Sequence, residues 1–238
     1  MDRNRCLVFD TPKGINGQIE YQEIIQDEWH GKWDIDPIYY SVIGQCRTLP
    51  ESKVKRALNL AMTTWDLEIK VTFKPSWFYI SGVGEITLDF KSSEEDETFK
   101  ENSSILAYAY FPAQGNYSGK IVFNNDYIWS LDGKSITAKE AHDKGWITNY
   151  SDPTNMLRTY NIIHTLIHEL GHCLGLKHDA DGSSVDVMDA YYSGKLELSD
   201  RDIVRIRLKY PPQVFKNWEW YTRLKNVLKK AKLRAASP

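Results

Sequence analysis

The stretch HELGHCLGLKH, residues 168–178, carries the strongest structural and chemical signal in the sequence. Residues four apart on a helix lie about 5–6 Å apart on one face, so His168 and His172 can direct imidazole nitrogens to one metal ion. Glu169 is rotated about 100° from His168, which places it poorly as a ligand but within reach of a water at the metal. This spacing predicts a helix that presents two ligands and a base.

The third histidine requires the helix to end. In a continuous helix His178 would lie about 15 Å along the axis from His168, too far to share an ion. Gly175 is the expected breaker, because glycine adopts the left-handed conformation that ends helices. The motif His-Glu-x-x-His alone would occur by chance in about one in a hundred chains of this length, and the further matches lower that expectation by about four orders of magnitude.

The ligand types favour a catalytic zinc over a structural one. Closed structural sites usually have four protein ligands and are rich in cysteine. Three histidines with a non-ligand glutamate leave a fourth position open for water, as in catalytic zinc sites. We therefore expect zinc on His168, His172 and His178, with Glu169 as the general base.

Composition places few limits beyond this. The 238 residues are 42% hydrophobic with a formal net charge of −2, which predicts one main domain plus a tail and no global field toward nucleic acid. No signal-peptide h-region opens the chain and no stretch approaches about 18 uncharged apolar residues, so we expect a soluble, untargeted chain. Cys6, Cys46 and Cys173 cannot all pair, a Cys6–Cys46 disulfide stays open, and the compartment is undecided.

The periodicity of the rest predicts an α+β fold. Helices are expected over 51–66, over 157–174, and from Ser199, whose capping-box partner is Asp202, to the stop at Pro211. The acidic run 92–97 is predicted to be a solvated loop, and the stretch 131–155 is predicted to be rich in loops. Strands are predicted over 37–43, 69–74, 85–90, 105–111 and 120–123.

The metal motif together with Val187-Met-Asp189 resembles the metzincin metallopeptidases, and within them the matrixins. The resemblance extends to residues 105–112, 198–203 and 210–212, and covers roughly 33–212. It implies a twisted, five-stranded, mostly antiparallel sheet with three main helices and a substrate cleft across the zinc. The expected organisation is a leader (1–32), the catalytic domain (33–212) and a basic amphipathic C-terminal helix (213–238).

Further roles follow from the resemblance alone. It implies a zinc-dependent endopeptidase, of a typically secreted family, that binds extended peptides through the backbone of Leu106 and Ala107. Ala190 and Tyr192 would form the pocket for the side chain after the scissile bond, and Met188 the methionine turn, a role that differs little from that of an ordinary buried methionine. The alternative is a zinc-stabilised binding or inhibitory protein of the same fold without turnover.

The sequence departs from the matrixin pattern at the positions where that family binds a structural zinc and calcium. Tyr108 and Val122 stand where ligands of a structural zinc are expected, and Lys120, Asn124 and Tyr127 replace carboxylates that would bind calcium. We predict one zinc, with structural zinc and calcium absent. A calcium site at 179–181 stays open.

Two terminal features complete the hypotheses. Arg5-Cys6 with Asp10 resembles the cysteine switch of latent matrixins without its flanking Pro and Gly, and the competing interpretation is an unrelated exposed cysteine. The tail from Gln213 packs on the domain or binds an anionic membrane or a protein groove, with nucleic acid least favoured. We expect a monomer. His164 is expected to be packed near the ligands, and Cys173 to be a core residue.

Overall fold

The computed structural model describes residues 5–8, 31–69, 71–76, 85–179, 186–210 and 226. Its main sheet contains β1 (Arg5–Val8), β2 (Ile38–Val42), β3 (Phe73–Pro75), β4 (Ile86–Lys91), β5 (Ile105–Ala109) and β6 (Lys120–Asn124). Four short strands pair in two small sheets: β7 (Trp129–Ser130) with β10 (Tyr160–Asn161), and β8 (Ile136–Thr137) with β9 (Met156–Leu157). The helices are α1 (Glu51–Asp66), α2 (Glu97–Glu101), α3 (Ala138–Asp143), α4 (Ile162–Cys173) and α5 (Asp200–Lys209).

One face of the main sheet is covered by α1 and α4, which pack against each other. The predicted apolar face of α1 is buried, from Val54 to Trp65, and the Trp65 indole donates to the carbonyl of Ile167 at 2.9 Å. Every residue of α4 is buried. The α+β class is thereby confirmed, with the metal-motif helix in the middle of the core.

The strand directions differ from the expectation of a mostly antiparallel sheet. The order is β1-β5-β6-β4-β2-β3, and only β5 and β6 pair antiparallel among these strands. Parallel neighbours need long crossover connections, and α1 supplies one between β2 and β3. The antiparallel pair is joined by the shorter segment 110–119.

The acidic run 92–97 is a loop up to Asp96, as predicted, and Glu97 then begins α2, whose N-cap Asp96 accepts a hydrogen bond from the Thr98 amide. Two other local predictions are corrected. The stretch 131–155 contains α3, capped by Thr137. The helix predicted from residue 157 begins at Ile162, because Asn161 caps it by accepting from two backbone amides of its first turn.

The N-terminal segment adds a sixth strand to the five of the predicted domain. β1 pairs parallel with β5, so residues 5–8 are not merely a surface leader. Residues 9–30 and nearly all of the C-terminal tail lie outside the described residues, and the predicted basic helix is not tested. Among the helices that the structure describes, none combines the length and apolarity that crossing a bilayer requires.

Candidate metal centre

The end of α4 brings the third histidine back to the first two. The Gly175 amide donates to the His172 carbonyl and the Leu176 amide to the Gly171 carbonyl, which together form a Schellman motif. Gly175 has φ +92°, the left-handed conformation that glycine accepts without strain. The predicted break is confirmed.

The three imidazoles converge on one point. The Nε2 atom of His168 lies 2.9 Å from Nε2 of His172 and 3.2 Å from Nε2 of His178. Tetrahedral zinc with Zn–N bonds of about 2.0–2.1 Å separates its nitrogen ligands by about 3.4 Å. The donor set therefore fits a zinc ion after displacements of a few tenths of an ångström.

Hydrogen bonds fix the two helical ligands in the tautomer that zinc needs. Nδ1 of His168 lies 2.7 Å from the Val187 carbonyl, and Nδ1 of His172 lies 2.6 Å from the Leu176 carbonyl. A carbonyl only accepts, so Nδ1 carries the proton and Nε2 keeps its lone pair. Burial lowers the pKa of His168 to about 4 and that of His172 well below its ordinary value, which also favours neutral rings.

Glu169 is buried beside these ligands without a nitrogen or oxygen donor. Neither carboxylate oxygen has such a partner among the described residues, and the side chain has no solvent exposure. Burial raises the pKa of Glu169 to about 8, while its contact with Cys6 acts in the opposite direction. A buried carboxylate of this kind suits an acid–base group that exchanges a proton with a bound molecule.

Met188 lies directly beneath the ligand helix. A Cβ on Gly171 would approach the Met188 sulfur to 2.3 Å, so only glycine permits this contact. The turn that carries Met188 is held by Asp202, whose carboxylate accepts from the amides of Val187 and Met188 at 2.9 and 3.4 Å. Sequence reasoning assigned Asp202 to the α5 capping box, which the structure confirms, but not to this second role.

The residues predicted to contact substrate flank the centre on two sides. Leu106 and Ala107 lie in β5, and Ala190 lies on the opposite side of Cys6, whose amide donates to the Ala190 carbonyl at 3.1 Å. Tyr192 contacts the start of α4, where its hydroxyl accepts from the Asn161 amide at 2.8 Å.

His164 is packed, as expected, one turn before the ligands. It is buried, its Nδ1 lies 2.6 Å from the Lys195 carbonyl, and its ring packs edge-to-face on Tyr192 with centroids 4.9 Å apart. Burial lowers its pKa to about 4. Cys173 is a core residue.

Cys6 is at the centre of the site and not exposed. Its sulfur lies within 4.8 Å of a His168 ring nitrogen and a Glu169 carboxylate oxygen, and burial followed by the Glu169 charge raises the pKa of the thiol well above its usual value. Cys6, Cys46 and Cys173 are all free, so the Cys6–Cys46 disulfide is not formed. The proposed brace residue Asp10 lies outside the described residues.

At the positions where the family's structural-zinc and calcium ligands are replaced, most side chains contact other protein groups. Tyr108 and Val122 belong to a small buried cluster with Phe99 and Ile105, and the Tyr108 hydroxyl donates to Asp96 at 2.6 Å. The three positions where calcium ligands were expected also make protein contacts or belong to a strand. The Asn124 side-chain amide donates to the Ile105 carbonyl, and the Tyr127 hydroxyl donates to the Ser103 carbonyl. Lys120 is the first residue of β6.

The alternative calcium site can be described only in part. The Asp179 carboxylate accepts from the Arg201 guanidinium at 2.6 Å, and Asp181 lies outside the described residues. An arginine at hydrogen-bond distance satisfies the charge that calcium would otherwise neutralise.

Comparison with known proteins gives one family match and several remote relatives. A family model described as "Matrixin" matches residues 32–211. Matrix metalloproteinase-2 of Drosophila melanogaster is 28% identical over 152 residues, which cover 63% of this chain and 17% of that protein. Karilysin of Tannerella forsythia is 24% identical over 74% of this chain and 32% of its own length, and human matrilysin 26% over 75% and 58%. This chain spans less than two thirds of the length of these relatives.

Proposed function

This chain belongs to the matrixin family, and from that premise we propose that it is a zinc-dependent endopeptidase that hydrolyses peptide bonds of protein substrates. One observation carries the proposal: three imidazole nitrogens converge beside a buried carboxylate that has no nitrogen or oxygen donor among the described residues.

His168, His172 and His178 hold the zinc in this proposal, and Glu169 handles the proton. Zinc bound there supplies Lewis acidity toward a water molecule and the scissile carbonyl. Glu169 accepts the proton of the attacking water and delivers it to the leaving amine.

The substrate binds as an extended strand between β5 and the segment at Ala190. Backbone groups of Leu106 and Ala107 hydrogen-bond to it, a mode of recognition by strand addition. Support comes from β1, which already pairs with β5 and hydrogen-bonds to the Ala190 carbonyl. Ala190 and Tyr192 form walls of the pocket for the side chain after the scissile bond, and the His164 ring packs edge-to-face on Tyr192.

The N-terminal segment keeps the enzyme latent. Cys6 lies where its sulfur can occupy the open coordination position, and β1 covers the edge to which substrate would add. Activation then requires that residues 5–8 leave the cleft. Asp10 lies outside the described residues, so the Arg5–Asp10 brace stays a prediction from the sequence.

The enzyme uses a single zinc, without structural zinc or calcium. The contacts of Tyr108, Asn124 and Tyr127 support this part of the proposal, because they stabilise β5 and the preceding loop with protein groups. Buried aromatic packing and satisfied hydrogen bonds there reduce the need for a metal clip.

The alternative is a zinc-stabilised binding or inhibitory protein without turnover. A peptide library incubated with the zinc-loaded protein and analysed by mass spectrometry separates the two, because a binder leaves every peptide intact. Truncation of residues 1–10 in a parallel sample removes the latency segment. Cleavage products in the truncated sample support the peptidase, and intact peptides in both samples support the binder.

The basic tail and the oligomeric state are separate proposals. The tail binds an anionic membrane or protein surface through its lysines and arginines, and the chain is a monomer. Deletion of residues 213–238 should reduce binding to vesicles that contain phosphatidylserine. Equal binding by the full and shortened chains would contradict a membrane role.

A further inference from the structure

A cleft of about 840 Å³ lies away from the metal centre, between the start of α1 and the α3 region. One wall is formed by residues 46–50 and Lys53. The other is formed by residues 130–132 and 134–136, by Glu140 of α3, and by Lys144 and Trp146. This volume falls within the range of about 300–1,000 Å³ that ligand pockets occupy. The cleft is large enough to hold several side chains of a bound peptide.

The charge of the cleft is opposite to that of the whole chain. Its lining has four basic side chains, Arg47, Lys53, Lys134 and Lys144, and two acidic ones, Asp132 and Glu140, whereas the chain has a net charge of −2. Both acids are matched by lysines of the cleft, at 3.7 Å for Asp132–Lys134 and 3.0 Å for Glu140–Lys144.

Two cations of the lining are therefore left to attract a ligand. Within the part of the chain that the structure describes, no carboxylate lies at ion-pair distance from Lys53 or Arg47. Arg47 uses one terminal nitrogen to donate to the Asp126 carbonyl, which orients its guanidinium at the rim. Lys53 is exposed in the first turn of α1, where the helix dipole adds potential of the same sign.

The floor of the cleft is apolar. Leu49, Leu131, Ile136 and Trp146 line it and are only partly buried. A uniform polyanion would leave this surface uncovered and would meet the two carboxylates. A peptide with both acidic and apolar side chains matches the cations and the floor together.

The wall at residues 130–134 also supports the proposed substrate pocket. The Asn161 side chain donates to the Leu131 carbonyl at 2.9 Å, and a Cβ on Gly133 would approach the Tyr192 hydroxyl to 2.9 Å. The same Tyr192 hydroxyl accepts from the Asn161 amide. One segment thus separates the cleft from the pocket for the residue after the scissile bond.

We propose that this cleft is a second substrate-binding site that binds an acidic segment with apolar side chains, C-terminal to the scissile bond of a protein substrate. The substrate role rests on the peptidase function proposed above. Binding by the cleft itself does not, because it needs neither zinc nor turnover. Proteins with such a segment would be cleaved in preference to those without one.

The binding test uses the full chain and a labelled peptide in which three glutamates alternate with leucine and phenylalanine. Fluorescence anisotropy should give at least about tenfold tighter binding than for the matched peptide with glutamines, and the difference should shrink as salt is raised. R47E/K53E should abolish the difference. Lys100→Glu is the control, because Lys100 is exposed on α2 and does not line the cleft.

The kinetic test joins the same extensions to the C-terminus of a peptide that the enzyme cleaves, through flexible linkers of about four to twelve residues. With the native cleft, the acidic extension should raise kcat/KM about tenfold over the glutamine extension. R47E/K53E should remove this gain without changing cleavage of the short peptide that has no extension. Thermal unfolding of each variant verifies folding, and K53E alone provides a milder change.

Several results would overturn the proposal. In the binding test these are equal affinity for the glutamate and glutamine peptides, or tighter binding of the glutamate peptide that persists in R47E/K53E. Equal affinity for a glutamate peptide whose leucines and phenylalanine are replaced by glycine would exclude the apolar contribution. In the kinetic test, binding of the acidic extension without a gain in kcat/KM would exclude the substrate role. The kinetic test uses chains without residues 1–10, so that latency does not mask turnover. Failure of such a chain to cleave the short peptide at all would instead contradict the peptidase function, whatever the binding test shows.

Discussion

Asp202 connects the closing helix to the metal centre through one buried carboxylate. It accepts from the Ser199 amide as part of the α5 cap, and from the amides of Val187 and Met188. The Val187 carbonyl in turn accepts from Nδ1 of His168. The orientation of His168, a proposed zinc ligand, thus depends on a side chain of α5 that does not belong to the histidine cluster.

We predict that Asp202→Ala destabilises the protein by about 3–5 kcal/mol and weakens zinc binding. Its matched control is Ser199→Ala, which removes the other half of the same cap and should cost only about 1 kcal/mol with zinc affinity unchanged. Chemical denaturation and zinc titration of both variants measure the two effects. Equal losses in both variants would show that Asp202 acts only as a helix cap.

At the residue scale, the sequence was informative wherever the chemistry is local. The ligand spacing and the break at Gly175 involve neighbours on one segment, so helix geometry alone predicts them. The contact of Asp202 with the Met188 turn joins positions on different segments, and no local pattern indicates it. Met188 is assigned to the methionine turn only through the family resemblance.

β5, the strand beside the proposed substrate cleft, is stabilised by a short helix that the sequence pattern did not predict. α2 has five residues, too few for a helical period to be visible. Asp96 caps it and also accepts from the Tyr108 hydroxyl of β5, while Phe99 packs on the Tyr108 ring with centroids 5.4 Å apart. β5 therefore has an apolar support on the side away from the sheet's main core.

The far end of α1 carries a carboxylate that the fold disfavours at neutral pH. Burial, with a smaller contribution from Asp36, raises the pKa of Asp66 to about 6. Because this value lies above that of an unfolded chain, the folded protein binds a proton more tightly, and the resulting stability is lost as pH rises through about 6.

Asp66→Asn should therefore raise the free energy of unfolding at pH 7.5 by about 1 kcal/mol, a figure reduced for the partial exposure of the group. The gain should vanish near pH 4, where the wild-type carboxyl is protonated in the folded state. Thermal unfolding across this pH range measures it, with Glu51→Gln on the same helix as a control that brings no gain. A gain of constant size at every pH would contradict the assignment.

At the element scale, long periodic segments were predicted well and short or non-local ones were not. The apolar face of α1 and the capping box of α5 are confirmed because each repeats or closes within one segment. The relative direction of two strands depends on the three-dimensional path of the segment that connects them, which no local sequence pattern encodes. The sheet is therefore mostly parallel where the resemblance implied antiparallel pairing. α3 was missed for the same reason as α2.

The whole molecule combines a matrixin domain with an N-terminal strand that lies in its proposed substrate cleft. β1 joins residues about a hundred positions away in sequence, with Cys6 paired to Ala107. No periodicity in four residues could predict that partner, so the sequence suggested only a leader with a switch-like thiol. The structure excludes the exposed-cysteine interpretation, because Cys6 is buried beside Glu169.

We predict that Cys6→Ala raises kcat/KM for a short peptide about tenfold or more, because the competent state no longer competes with thiol coordination. Cys6→Ser should give an intermediate gain, since a hydroxyl is a poorer zinc ligand than a thiolate. Removal of residues 1–10 should give the largest gain, as it also frees β5. Unchanged activity in all three would contradict latency while leaving the peptidase proposal in place.

The most direct test of the central claim compares the wild type with Glu169→Gln, both without residues 1–10, for zinc content and peptide cleavage. Metal analysis should find one zinc per chain in each protein, since Glu169 is not a ligand. Cleavage should fall by at least about a thousandfold in the variant, because the amide cannot accept the proton from water. Full retention of cleavage by Glu169→Gln, with zinc bound in both proteins, would contradict the account.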